Sequence, residues 1–147
     1  MQDDLSEEER QQENFVCLAR LYVLADVLGD LKSANTVIDQ VIRYSDDTVR
    51  VPGARCATFV MKATPESSPL QRLMIDYYTQ EAGEQAFERD SNGEQMSSEF
   101  LAAVAREYRR LVTAASGEDT VEGTFKTSIN KRHKCYYHQH DASCPKC

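Results

Sequence analysis

The sequence predicts an all-α protein of about five helices that ends in a Cys/His-rich irregular tail. Apolar residues recur at three- and four-residue spacing in several separate stretches, as expected for amphipathic helices. Glycine and proline punctuate these stretches at Gly29, Pro52-Gly53 and Pro69. The 147 residues, 41% of them hydrophobic and 28% charged, suit one globular domain. These observations together favour a single helical domain over a β-rich one.

The segment Leu18–Ile42 predicts a helical hairpin. Gly29 supplies the left-handed residue that ends many helices, and Asp30 can cap the helix that follows. The second helix is predicted over residues 31–44, with an acidic turn at Asp46-Asp47.

Three further helices follow the break at Val51-Pro52-Gly53. Residues 54–63 predict a short helix, although their period is weak and a strand remains an alternative. Ser68, Pro69 and Gln71 form a capping-box pattern that opens a fourth helix ending near Gly83.

The last helix is predicted to be capped by Ser97 or Ser98 and to close near Gly117. The domain organisation is therefore an acidic lead-in at 1–14, a helical domain at 15–116, and a loop with a Cys/His-rich tail at 117–147. The lead-in is expected to be solvated.

Composition excludes several classes of function. The formal net charge of −7 argues against general binding of nucleic acid through phosphate neutralisation. The acidic N-terminus is unlike a secretory signal, and no apolar run reaches the roughly 18 residues of a membrane span. We therefore expect a cytoplasmic or nuclear protein with no membrane partner.

The tail is the only segment dense in metal ligands. Cys135 with His138, and Cys144 with Cys147, have the short spacing that lets one turn supply two zinc ligands, and His140 is an alternative ligand. A metal held by four protein ligands would be structural. A thiol-bearing terminus without metal remains the other interpretation.

A thiol enzyme built on Cys135 and His138 is not favoured, because neither an oxyanion site nor a rigid scaffold accompanies the pair. No glycine-rich phosphate loop or hydrolase motif is present, so the sequence predicts no enzyme. Cys17 and Cys56 are expected to be small core residues. The basic run at 131–134 is expected to be a solvated stretch rather than a localisation signal.

The hairpin sequence LARLYVLADVLGDLKSANTVIDQVI resembles the closing helix pair of the BTB/POZ domain in fungal BTB proteins. Further phrases similar to that family follow in order at Val51–Ala54, at Ala63–Tyr78 and, in the tail, at Tyr137–Asp141 and Cys144. The likeness covers roughly residues 17–144. The mixed sheet that precedes the hairpin in that family has no counterpart in this sequence.

The resemblance implies a non-enzymatic protein–protein interaction module of the adaptor class, linked to cullin-3 ubiquitin ligases or to transcription-related assemblies. In that family, dimerisation uses elements ahead of the hairpin, and cullin contact relies largely on a helix ahead of it. We therefore expect no usual BTB dimer and at best a partial cullin contact. The alternative is a small zinc-stabilised module organised by the tail.

Without the sheet, the apolar face of the first helix needs another partner, since burial is worth roughly 25 cal/mol per Å². The sequence therefore predicts a contact surface, for self-association or for another protein, on one side of the first helix. Its expected residues are Phe15, Leu18, Leu21, Tyr22, Leu24 and Leu28.

Overall fold

The computed structural model describes residues 5–88, 93–115, 129, 132 and 135–142. Within these residues the all-α fold class is confirmed. Five α-helices and one 3-10 helix follow one another along the chain, and none of the described helices is both long and apolar enough to cross a membrane. The helices are α1 (Glu7–Val27), α2 (Leu31–Thr48), α3 (Ala54–Ala63), α4 (Pro69–Gln80) and α5 (Ser98–Ala115), with the 3-10 helix at Glu84–Phe87 between α4 and α5.

Helix α1 begins at Glu7, so the prediction of a non-helical lead-in over 1–14 is wrong for residues 7–14. The cause is a capping box. The Ser6 hydroxyl accepts the backbone N–H of Glu9, and the Glu9 carboxylate accepts the backbone N–H of Ser6 at 2.8 Å. The acidic first turn also suits the positive end of the helix dipole. The same acidic residues that suggested a solvated lead-in therefore start the helix.

The turn between α1 and α2 matches its prediction. Gly29 has φ +69°, and the Asp30 carboxylate accepts the backbone N–H of Ser33 at 3.0 Å. Helix α2 runs four residues further than predicted, so Asp46 and Asp47 lie inside the helix and not in a turn.

The connection between α2 and α3 is held by side chains from two other helices. The Gln12 amide donates to the carbonyl of Val51 at 3.1 Å, and its oxygen accepts the N–H of Gly53 at 2.6 Å. From α4, the Tyr78 hydroxyl donates to the carbonyl of Pro52 at 2.6 Å. Because this loop is buried against α1 and α4, its backbone polar groups are paired inside the protein.

Residues 54–63 are helical, so the strand alternative is wrong. Ser68 caps α4 by accepting the N–H of Gln71. The predicted capping box is only half formed, because the Gln71 amide instead donates to the carbonyl of Thr64 at 3.0 Å. That bond joins the end of α3 to the start of α4.

The core forms where α1 packs on α2 and α3, and where α4 packs on α3 and α5. Its aromatic members meet edge to face: Phe15 contacts Tyr44 with ring centroids 5.0 Å apart, and Tyr78 contacts Phe100 at 5.1 Å. The largest fully buried side chains come from all five helices, and include Tyr22, Tyr77, Phe15, Phe100, Ile38, Leu70, Leu73 and Val60.

Helix α2 ends on a strained residue, and this gives a prediction about stability. Val49 adopts the left-handed region at φ 53° although it is β-branched and 89% exposed. We expect Val49→Gly to raise the free energy of unfolding by about 0.5–1 kcal/mol, because the relief of left-handed strain exceeds the added chain entropy.

The matched control for this prediction is Gly29→Ala. Gly29 has φ +69°, and a Cβ added there would meet no atom within 4 Å, so the substitution tests the backbone alone. It should lower the free energy of unfolding by about 1 kcal/mol. Urea unfolding curves measure both changes. A Val49→Gly variant that is less stable than the wild type would show that the backbone of Val49 is not strained.

Candidate functional site

One side of α1 carries an exposed apolar stripe, defined by Cys17, Leu21, Leu24 and Leu28. The three leucines are 52%, 55% and 72% exposed. The four residues of the stripe are spaced by four, three and four positions, which places them on one line along the helix, with Leu28 as the cap residue directly after α1. Val27, at the edge of the stripe, is 78% exposed. No element among the described residues covers this side of α1.

The predicted contact surface is therefore partly wrong. Phe15 and Tyr22 are each only 1% exposed and belong to the core, where α1 packs on α2 and α3. Leu18 is partly buried against the same core. At 100° per residue, Phe15 and Tyr22 point away from the line of Leu21 and Leu24, so one helix cannot present all six predicted residues on one surface.

The two helical cysteines have opposite environments. Cys56 is buried in the core as predicted, and burial raises the pKa of its thiol to about 12. Cys17 is exposed, which contradicts its predicted core position. The helical period explains the difference, since Cys17 lies about 200° from Phe15 around α1.

Arg132 and Tyr137 are held on α4 by a buried ionic contact. Asp76, on the inner side of α4, accepts from the Arg132 guanidinium and from the Tyr137 hydroxyl, both at 2.6 Å. Arg132 also donates to the side-chain oxygen of Gln80 at 2.6 Å, and contacts the Tyr137 hydroxyl as well. The side chains of Arg132 and Asp76 are only 11% and 6% exposed. Burial, reinforced by the Asp76 carboxylate, strongly raises the pKa of Tyr137, which therefore stays a hydrogen-bond donor.

His138 and Gln139, which follow Tyr137, lie against α2. The Asn35 amide makes two hydrogen bonds with the backbone of Gln139, donating to its carbonyl at 2.7 Å and accepting its N–H at 2.9 Å. One helical turn later, a carboxylate oxygen of Asp39 lies 2.7 Å from Nε2 of His138. The pair of α2 side chains thus fixes both the path of the tail and the orientation of the His138 ring.

These contacts gather Cys135, His138 and His140 into one cluster. The Sγ of Cys135 and one ring nitrogen from each histidine all lie within 4.8 Å of one another, so the cluster could hold a metal ion. Nε2 of His138 faces the Asp39 carboxylate. A carboxylate behind a histidine ligand is the usual arrangement that fixes the ring and raises its basicity.

Three of the predicted ligands lie in the cluster. His140, predicted as an alternative ligand, lies in the cluster with Cys135 and His138, while Cys144 and Cys147 lie outside the described residues. Cys135 is disulfide-bonded. Only a thiolate is an effective ligand. The cluster can therefore use Cys135 only after that bond is reduced.

Sequence reasoning missed the residues that build this site. Asp76 gave no signal beyond its place on the predicted helix. Arg132 belongs to the basic run at 131–134 that was expected to be solvated, yet its side chain is only 11% exposed. Asn35 and Asp39 are spaced one helical turn apart, which is the only pattern that could have indicated a shared polar surface on α2.

An open cavity of about 900 Å³ lies between α4, α5 and the tail. Its charged side chains are of both signs. The basic ones are Arg72, Arg106 and Arg110, and the acidic ones are Glu66, Asp76, Glu99 and Glu107. Such a mixture favours neither an anionic nor a cationic ligand.

Comparison with known proteins finds no protein family, curated protein or solved structure that matches this chain.

The buried contact at Asp76 gives a prediction about stability. We expect Asp76→Asn to lower the free energy of unfolding by about 3 kcal/mol, because it leaves the buried Arg132 guanidinium without a counter-charge. Hydrogen exchange should also show the backbone of 135–142 becoming less protected, as the tail loses its attachment to α4.

The control is Glu107→Gln on α5, which removes a carboxylate that likewise lies 2.6 Å from an arginine, Arg110. The Arg110 side chain is 65% exposed, so this change should cost less than about 1 kcal/mol. Urea unfolding measures both variants. If they lose equal free energy of unfolding, burial of the Asp76 contact contributes nothing to stability.

Proposed function

We propose that this chain is a non-enzymatic protein–protein interaction module whose contact surface is the apolar stripe on α1. The observation that carries the proposal is the exposure of Leu21, Leu24 and Leu28 on one line of a helix whose opposite side already fills the core. The fold does not need these leucines for its own packing. A continuous exposed apolar surface is typical of a site where another protein binds.

The free energy available from the stripe supports this role. Covering apolar surface is worth roughly 25 cal/mol per Å², and leucine side chains that are more than half exposed retain most of that gain for binding. The net charge of −7 disfavours a nucleic-acid partner for the same chain. A protein partner with an apolar surface is therefore the best match.

The similarity of residues 17–144 to phrases of fungal BTB/POZ proteins supports an adaptor class of role. It suggests a link to cullin-3 ubiquitin ligases or to transcription-related assemblies, in the cytoplasm or nucleus. The stripe lies on the first helix of the hairpin that carries this similarity. The surface proposed for binding and the sequence that suggests the adaptor role are thus the same segment.

The stripe predicts an effect of charge on binding. Leu24→Glu should reduce the fluorescence of a bound apolar dye and weaken any association about tenfold or more, because a carboxylate would be desolvated in the contact. Dye titration and sedimentation velocity measure the two effects, with circular dichroism to confirm the helix content.

Leu101→Glu is the matched control, since Leu101 is 41% exposed but lies on α5. It should leave both signals unchanged. Wild-type protein that binds no dye and shows no association at any concentration would contradict the proposed surface.

The metal-ligand cluster favours a second candidate function, a small module stabilised by structural zinc. Reduced Cys135 would supply a thiolate and the two histidines would supply imidazoles, the ligand types that zinc prefers. Cys144 or Cys147 would complete four ligands, as the sequence spacing suggests. Since the tail joins α2 to α4, zinc at this point would stabilise the contact between the tail and the helices.

This candidate predicts a redox-dependent metal affinity. Reduced protein should bind Co²⁺, used as a spectroscopic substitute for zinc, with the absorption bands of a thiolate ligand, and oxidised protein should not. His138→Ala should abolish these bands. Asp39→Asn should weaken binding about 10–100-fold, because the His138 ring loses the group that orients it.

Asp47→Asn is the control for Asp39→Asn, because Asp47 is an exposed carboxylate on the same helix. It should leave the affinity unchanged. Equal affinities in reduced wild-type and His138→Ala protein would rule out a zinc site at this cluster.

A further inference from the structure

We infer that the partner of the apolar stripe is the stripe of a second copy of this chain, with the two α1 helices antiparallel around a twofold axis. The inference rests on the proposed interaction surface and adds the identity of its occupant. Two properties of the stripe support it: its symmetry along the helix and the charges that continue its line. The length of the stripe sets the expected strength of the dimer.

The stripe is symmetric about a point midway between Tyr22 and Val23. In an antiparallel pair centred there, Leu21 lies opposite Leu24 of the second copy, and Cys17 lies opposite Leu28 of the second copy. The twofold axis repeats both contacts, so each of the four stripe residues meets another stripe residue. A surface that matches itself in this way is what a closed twofold dimer requires.

The residues that continue the line towards the N-terminus disfavour the parallel alternative. Glu7, Arg10, Asn14 and Cys17 are all exposed and follow one another at spacings of three, four and three residues. Together with the leucines they form an unbroken heptad-like line. A parallel pair would place Glu7 against Glu7 and Arg10 against Arg10, and like charges in contact are unfavourable. In the antiparallel pair these charged residues extend past the end of the other copy's α1.

The length of the stripe sets the expected strength. Residues 17–28 span about 18 Å of helix, which is short beside interfaces that bury about 1,600 Å². The dimer should therefore be weak, with dissociation in the micromolar range or above. Sedimentation should show it as a reversible, concentration-dependent increase in mass.

Cross-linking of the full chain tests the direction of pairing. Leu28→Cys places a thiol opposite Cys17 of the second copy, and the 72% exposure of Leu28 means that the fold tolerates the change. Mild oxidation with diamide, which accepts two electrons and two protons as each disulfide forms, should give dimers in which Cys17 of one copy is joined to the new thiol at position 28 of the other. Mass spectrometry of the digested dimer distinguishes this link from links made by the tail cysteines.

Val49→Cys provides the control for random collision, since residue 49 is 89% exposed and lies off the stripe. The expected yield of the link between Cys17 and position 28 is at least about tenfold above that of the link between Cys17 and position 49. A dominant Cys17–Cys17 link in the wild type would overturn the antiparallel arrangement. If the protein stays monomeric and the two variants give equal yields of their cross-links, the partner of the stripe is not a second copy of this chain.

The same measurements distinguish an incorrect dimer from an incorrect contact surface. A monomer that still binds apolar dye, and loses that binding in Leu24→Glu, overturns the dimer and leaves the stripe as a surface for a different protein. Loss of both signals in the wild type overturns the two proposals together.

Discussion

The position of the C-terminal residues depends on one buried carboxylate. Asp76 lies inside α4, where an unpaired charge would be costly, and Arg132 and Tyr137 supply the hydrogen bonds that compensate it. Once Tyr137 is fixed on α4, the next two residues reach α2, where Asn35 and Asp39 bind them. The metal-ligand cluster is thus a consequence of where one acidic side chain needs its counter-charge.

Helix α2 connects the two candidate sites. One side of α2 packs on α1, through residues such as Ala34, Ile38 and Val41, and leaves the outer side of α1 as the apolar stripe. The polar residues Asn35 and Asp39 hold the tail. A change in how α2 packs would therefore affect the support of the stripe and the geometry of the Cys135 cluster. The two proposed functions are compatible, since a metal that secures the tail would also stabilise the helices that present the stripe.

Local sequence signals were sufficient for most helix ends. Gly29 and Asp30 specify the first turn, and Ser68 with Pro69 specifies the start of α4, because each acts through its own backbone geometry or through groups three residues away. The same reasoning failed at Ser6, where a run of acidic residues was interpreted as solvated and not as a capped helix start. Acidic side chains suit both situations, but the spacing of Ser6 and Glu9 is itself the capping-box pattern and could have distinguished them.

By itself, the sequence determined the fold class, the helical period and the presence of an apolar surface on α1, because these follow from the spacing of residues close together along the chain. Tertiary structure decided which side of α1 is covered. It placed Phe15 and Tyr22 in the core and Cys17 on the surface, since only the packing of α2 and α3 sets the rotation of α1. It also brought Cys135, His138 and His140 together and placed Asp39 beside His138. The reason is physical: contacts between residues about 100 positions apart depend on how helices pack, and no local pattern carries that information.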